Sequence, residues 1–433
     1  MADMDVRRTV EAIWRCESAH LVAALTRLVG DVGLAEDLAQ EAFAAALRQW
    51  PHEGVPDNPA AWLATVGRRR AIDLIRREEA RSDRYTQIAT EAHIAMDDSG
   101  ATGMVSGPGL VAPLPEPGGD TQDDDTLALV FIACHPVLSR ESRAALTLRM
   151  VAGLSTEEIA RAFLVPPATI GQRISRAKRT LAQARVPFAL PPDAELPARL
   201  AAVLEVVYLL FTEGYSATSG ETWVRRDLAE EAMRLGRRLT AWLPKEPEVH
   251  GLVALMELQA SRFAARVGPD GEPILLADQD RSRWDRTLIA HGLAALNRAI
   301  RLGRPLGAYT LQAAIAAVHA RARSFAETDW ATIVALYEAL AAVAPSPVVE
   351  LNRAVALLHA DGVPAALEVL DAIADDPRMR RYHLYGAVRA DVLMRLGRHA
   401  EAARVLEQAA ELAPTDRERA LLRQRAAAAA QQA

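Results

Sequence analysis

Residues Gly153 to Arg185 read GLSTEEIARAFLVPPATIGQRISRAKRTLAQAR. Ser155 and Glu158 stand three apart as a capping box. The serine oxygen accepts from the amide at the third helical position while the glutamate reaches back to the cap amide, so a helix starts there. It ends near Phe163. The Leu164-Val165-Pro166 connection is tight, and Pro167 opens a second helix at a first-turn position, where a missing N–H costs nothing. Two helices around a short turn make a helix-turn-helix pattern. In the second helix Ile170, Ile174, Ala177 and Leu181 share one face, which turns Thr169, Gln172, Arg173, Arg176 and Arg179 outward. From Ile159 to Arg185 there is no Asp or Glu. Arginine forks, an amide and a hydroxyl match the base edges and phosphates of a major groove, and Lys178 and Arg185 suit backbone phosphates. The same residues also fit a basic, solvated surface helix, because capped helix pairs with short turns occur in ordinary bundles.

Around this stretch the chain runs to 433 residues, enough for two to four domains. Hydrophobic residues make up 50% and aromatics only 5%, with alanine abundant, which favours closely packed helices over sheets. The formal charge of −6 does not advertise a nucleic-acid binder, but its distribution does. Basic residues gather at Arg68 to Arg77 and Arg161 to Arg185, with acid between them. Cys16 and Cys134 stand far apart without a CxxC motif or nearby His pair, so a reducing compartment is expected and neither a structural zinc nor a disulfide framework is. Cys134-His135 reads as a buried small residue beside a polar one. Met1 to Arg8 is charged with no apolar run after it, and no run is long enough for a membrane span; neither a signal peptide nor membrane association is expected.

Upstream, residues 9 to 30 carry helical spacing, closed by Gly30-Asp31. LAEDLAQEAFAAALRQW follows, Leu34 to Trp50, with Leu34, Leu38, Ala42, Ala45 and Ala46 as a buried stripe widened by Phe43 and Leu47. Asp37, Gln40 and Glu41 form a polar ridge outside it, which simple solvation also explains. Asn58-Pro59 starts another helix, PAAWLATVGRRRAIDLIRRE. Its Arg68, Arg69, Arg70, Arg76 and Arg77 need anionic partners, and Trp62 supplies a stacking surface suited to single-stranded or melted DNA. An arginine-rich structural helix with Trp62 in the core fits equally. Residues 82–125 change character: Met104 to Gly119 is Gly/Pro-rich without periodicity, and Asp120 to Asp125 adds an acidic cluster that is able to compete with DNA for the basic helices.

The AEDLAQEAF helix, the PAAWLATVGRRRAIDLIRR helix, a linker and the helix-turn-helix, in that order, resemble the sigma-70 family of transcription initiation factors. The similarity is greatest to the extracytoplasmic-function (ECF) group, which keeps only regions 2 and 4, and it covers roughly residues 10 to 185. It implies a non-catalytic, cofactor-free cytoplasmic subunit that binds core RNA polymerase, through the β′ clamp helices and β flap, and directs initiation at promoter DNA. By position, Asp37, Gln40 and Glu41 match the region 2 helix that docks on the clamp. Trp62, Arg68, Arg69, Arg70, Arg76 and Arg77 match the helix that melts and reads the −10 element. Thr169, Gln172, Arg173, Arg176, Lys178 and Arg179 match the region 4 helix that reads the −35 element. The linker would let both modules reach elements about two helical turns apart.

The C-terminal half carries no further basic stripe. In YGAVRADVLMRLGRHAEAARVLEQAAELAP, Tyr385 to Pro414, the residues Gly397, Ala402, Leu406, Ala409 and Pro414 stand at the offsets of a tetratricopeptide repeat. Weaker copies run through Leu351, Ala354, Gly362, Ala366 and Leu370, and through Tyr337, Leu340 and Pro345. The steps from Tyr337 to Leu370 to Leu406 are 33 and 36 residues. The charged segment Asp278, Gln279, Asp280, Arg281, Arg283 and Trp284 reads as an ion-paired turn or, less simply, a ligand site. Around Glu213 and His291 the sequence shows no nucleophile, metal-ligand or phosphate-loop motif, so no catalytic constellation is expected.

The whole layout resembles ECF sigma factors with a tetratricopeptide-like extension taken to regulate the sigma module, open to an unknown protein or peptide. The expected architecture is all-α: a region 2 domain over 1–81, a flexible linker over 82–125, a region 4 domain over 126–186 and a TPR-like helical domain over 187–433. An interaction scaffold merely tethered to DNA is the alternative, although it has no use for a polymerase-docking ridge. A hydrolase or transferase in residues 200–300 would need paired catalytic groups that the sequence does not display.

Overall fold

In the computed structural model the described residues are 2–94, 120–163, 165–215, 226–268, 274–303 and 305–433. They form eighteen α-helices and four short 3-10 turns, with no β-strand among them, as the composition leads one to expect. No helix among them is long and apolar enough to cross a membrane. The chain divides into two compact units, Met1–Val206 and Val207–Ala433.

The first unit opens with α1 (Ala2–Val29), α2 (Val32–Glu53) and α3 (Pro59–Ile94). Asp31 caps α2, its Oδ1 accepting from Leu34 N at 2.8 Å, and Asn58 caps α3 by accepting from Ala61 N at 3.0 Å. The α2 stripe buries Leu38, Ala42, Phe43, Ala45 and Ala46, but Leu47 is 44% exposed because the buried face ends on Ala46 and Trp50 instead. Where α3 crosses α1, a Cβ on Gly67 would stand 3.2 Å from Leu25 Cδ1, so glycine lets the two helices close up.

The expected linker is shorter than the sequence suggests at both ends. α3 continues to Ile94, and α4 begins at Asp120 and runs to Ala133. The acidic cluster is therefore helical, a placement that a helix N-terminus favours electrostatically. Its last member, Asp125, is buried and pairs with Arg27 of α1, not with either basic helix. Residues 95–119, the bulk of the Gly/Pro segment, lie outside the described residues.

α4 buries Leu127, Leu129, Val130, Phe131 and Ile132 and packs on α1, followed by α5 (Arg140–Met150), α6 (Thr156–Phe163) and α7 (Pro167–Gln183). The capping box forms as read: Ser155 N donates to Glu158 Oε2 at 2.8 Å, and Glu158 N donates to Ser155 Oγ at 3.1 Å. The boundary between the units falls inside α8 (Leu196–Tyr215) rather than at residue 187. Before that boundary, Arg199 donates to Phe131 O at 3.0 Å and ties the start of α8 to α4.

The second unit continues through α9 (Arg226–Trp242), α10 (Pro247–Ala260), α11 (Arg286–Leu302) and α12 (Ala308–Arg321). Six further helices are α13 (Trp330–Val343), α14 (Pro347–Ala360), α15 (Val363–Ile373), α16 (His383–Arg395), α17 (His399–Leu412) and α18 (Asp416–Ala430). Each packs on the next. Gly362 and Gly397 sit at turns with φ of +88° and +72°, a left-handed conformation that glycine adopts freely. Ala402, Leu406 and Ala409 are buried as the offsets imply. The charged segment proves structural at Arg281, which is buried and donates to the carbonyls of His319 at 2.6 Å and Ala322 at 2.8 Å.

Candidate nucleic-acid interface

α7 is held by the four residues the periodicity selects: Ile170, Ile174, Ala177 and Leu181 are all buried, facing α5 and α6. The opposite face leaves Gln172, Arg176 and Arg179 exposed and Thr169, Arg173 and Lys178 half-buried. Arginine, amide and hydroxyl groups thus line one side of a rigid helix. That is the arrangement a groove-reading helix needs.

Lys178 does not stand free on this face. Its Nζ lies 2.7 Å from Glu36 Oε2 and 3.5 Å from Asp37 Oδ1, both on α2. Arg149 of α5 approaches the other oxygen, its Nε donating to Glu36 Oε1 at 2.6 Å, and Gln40 Nε2 donates to the same atom at 2.7 Å. Glu36 is 3% exposed. Burial alone would raise its pKa, but Lys178 and then Arg149 outweigh that and hold the carboxyl below its ordinary value. Glu36 was missed in the sequence, although a signal was there: it falls on the apolar stripe with Val32, Ala39 and Phe43, where a carboxylate needs a partner.

The seam extends along α1. Trp14 Nε1 donates to Gly153 O at 2.6 Å, and Arg15 pairs with Glu158 at 2.8 Å. Gly153 has φ +69°, and a Cβ there would stand 2.9 Å from Ser18 Oγ. The first residue of the helix-turn-helix segment is thus fitted by shape to α1.

On the α2 ridge, Asp37, Gln40 and Glu41 are exposed, as expected. Each is engaged within the unit: Asp37 with Lys178, Gln40 with Glu36, and Glu41 with Arg70 of α3. Along α3, Arg69, Arg76 and Arg77 are exposed, while Arg68 and Arg70 are half-buried. Trp62 is half-buried and meets Trp50 edge-on, with ring centroids 5.4 Å apart. The structure therefore joins the ridge to both basic helices, which the sequence treated as separate surfaces. Cys134 is buried against Thr147 Oγ1 at 3.3 Å, and burial pushes its thiol up to about 11, so it stays protonated and inert.

Comparison with known proteins agrees with this layout. Sigma-70 region 2 matches residues 13–81 and sigma-70 region 4 matches residues 129–181. An uncharacterized protein of Rhizobium meliloti is 42% identical over 402 residues, covering 93% of this chain and 91% of its own. The chain belongs to that protein's family and carries sigma-70 region 2 and region 4 domains. In those terms α1 to α3 carry region 2, and α4 to α7 carry region 4. The probable ECF RNA polymerase sigma factor SigI of Mycobacterium tuberculosis is 31% identical over 183 residues, 42% of this chain, which spans 58% of SigI's length. The ECF RNA polymerase sigma factor SigC of the same species is 27% identical over 176 residues, 41% of this chain and 78% of SigC. Residues 199–300 match a family of unknown function, DUF6596, which stops short of the helix pairs from α13 onward. No solved structure matches the chain.

Proposed function

We propose that the protein is a bacterial sigma factor that acts in the cytoplasm without catalysis of its own. It binds core RNA polymerase and directs promoter-specific initiation. The observation that carries this reading is the pairing of two sigma-70 domains in order with an α7 whose basic face stands over a fully buried stripe. Region 4 reads the −35 element through Thr169, Gln172, Arg173, Arg176 and Arg179. Region 2 engages the −10 element through Trp62, Arg68, Arg69, Arg76 and Arg77, and core polymerase through Asp37, Gln40 and Glu41. The helical second unit, TPR-like in its helix pairs, regulates the module in cis; its presence across nearly the full length of the Rhizobium meliloti relative supports a shared role.

The α2–α7 seam sets a condition on this function. Lys178 cannot reach DNA phosphate while it neutralises Glu36 and Asp37, and Asp37 cannot dock on polymerase while Lys178 holds it. If Lys178 contacts DNA or Asp37 gives up Lys178 for polymerase during initiation, the seam has to open first. The test is transcription with core polymerase and the double variant Arg173→Ala/Arg176→Ala: −35-dependent transcripts disappear while core binding persists. Loss of core binding as well would remove α7 from the DNA-reading role.

A further inference from the structure

Within the second unit a cavity of about 410 Å³ opens between residues 262–266 and 274–279 on one side and the helices α16 and α18 on the other. Its size is that of a small-molecule site. Hydrocarbon dominates the walls, with Leu275 and Leu384 on opposite sides, 46% and 43% exposed. Large aliphatic side chains left open to water on two facing elements call for an apolar occupant.

The polar groups point to the rest of that occupant. Arg262, Arg266 and Arg425 line the cavity against one carboxylate, Glu418. Arg425 already pairs with Asp391. Arg262 has no carboxylate partner among the described residues: its guanidinium donates to Gln279 Oε1 at 3.2 Å and lies over the Trp284 ring at 5.4 Å. His383 is only 9% exposed, and its Nε2 is cut off from water without a hydrogen-bond partner. Glu418 Oε1, at 3.8 Å, is too distant to serve. The ring lines the cavity, but a nitrogen with no water-accessible surface is out of a ligand's reach, which leaves Arg262 as the cation that an anionic head can meet.

We propose that this cavity binds a small amphipathic carboxylate, with its single anionic head taken by Arg262 and its aliphatic body lying along Leu275 and Leu384. Glu418 disfavours a dianion such as a phosphate monoester, and among the described lining residues there is no Phe, Tyr or Trp to stack a nucleobase. The site is independent of whether the polymerase reading holds, since binding is read directly.

The probe is decanoate, titrated calorimetrically into the full-length protein, with 1-decanol and decyltrimethylammonium as neutral and cationic controls. Saturable one-site binding of decanoate, at least tenfold tighter than either control, is expected. Leu384→Glu, a change at an exposed helix position, abolishes it without altering the circular dichroism. Arg262→Gln removes the preference for decanoate over decanol. No saturable binding below about 1 mM overturns the proposal, as does equal affinity for decanol or indifference to Leu384→Glu.

Discussion

The contact between α2 and α7 is made of charge, whereas the contact between α16 and α17 is made of alanine, glycine and leucine. In the first, a buried carboxylate is shared by a lysine and an arginine from two other helices. In the second, Gly386 lies close against Ala409, and Leu406 is fully buried. An apolar seam is held by area and shape and has no cheap alternative state. A charged seam is held only while each ion keeps its partner, and another anion or cation of suitable geometry is able to replace it. Under the proposed function the sigma-70 portion has to exchange partners, and it carries the exchangeable kind of seam, whereas the C-terminal helix pairs carry the permanent kind.

Leu406→Ala is the largest disturbance expected. A leucine-to-alanine cavity in a buried site costs about 2–5 kcal/mol, and amide exchange should accelerate across α16 to α18 while α2 and α7 keep their protection. Acceleration in both places would erase the distinction between the two seams. Glu36→Ala comes next. Breaking a fully buried pair costs about 3–5 kcal/mol, but the side chains of Lys178 and Arg149 keep 21% and 15% exposure and rehydrate in part, so about 2–3 kcal/mol is expected. The loss appears as faster exchange confined to α2, α5 and α7. The pH dependence has the same origin: Glu36 is held below the ordinary carboxylate value, so its contribution is present above that value and is lost as pH falls through the lower one of the folded state. Acid opens the α2–α7 seam, whereas the contact of Gly386 with Ala409 and the buried Leu406 carry no group that titrates.

Gly153→Ala forces a left-handed conformation on a residue with a Cβ and sets that carbon 2.9 Å from Ser18 Oγ. It should weaken the α1 contact by about 1–2 kcal/mol, measured as a lower midpoint of thermal unfolding of the first unit. Lys178→Met leaves the buried Glu36 carboxylate to Arg149 and Gln40, at a cost of about 1–2 kcal/mol, and has the sharpest use. If Lys178 serves mainly as the seam's cation, promoter-specific transcription rises; if it serves mainly as a phosphate contact, transcription falls and the salt dependence of DNA binding shallows by about one charge.

Local signals in this sequence translated directly into structure. Ser155 and Glu158, Asn58 and Pro59, the Ile170 to Leu181 stripe, and Gly397 each depend on neighbours a few residues away, and each stands where its chemistry places it. What the sequence concealed depends on pairs far apart in the chain. Glu36 with Arg149 and Lys178, Trp14 with Gly153, and Arg27 with Asp125 all join positions about a hundred residues or more apart. A linear pattern has no means of announcing such pairings. For that reason Asp37 and Lys178 read as independent polymerase and DNA contacts, whereas the fold sets them against each other. The acidic cluster read as linker because its helix shows no apolar periodicity of its own and is held by packing on α1 and by the Arg27–Asp125 pair. The segment around Arg281 read equally well as turn or ligand site until the carbonyls of His319 and Ala322 took its guanidinium.

The most direct test of the sigma-factor reading is to add the full-length protein to bacterial core RNA polymerase and map the 5′ ends of transcripts from the protein's own genomic DNA. The account predicts discrete start sites that core polymerase alone does not produce, each dependent on an upstream element protected by the holoenzyme. Absence of core binding together with absence of any specific start, at every salt concentration tried, would contradict it.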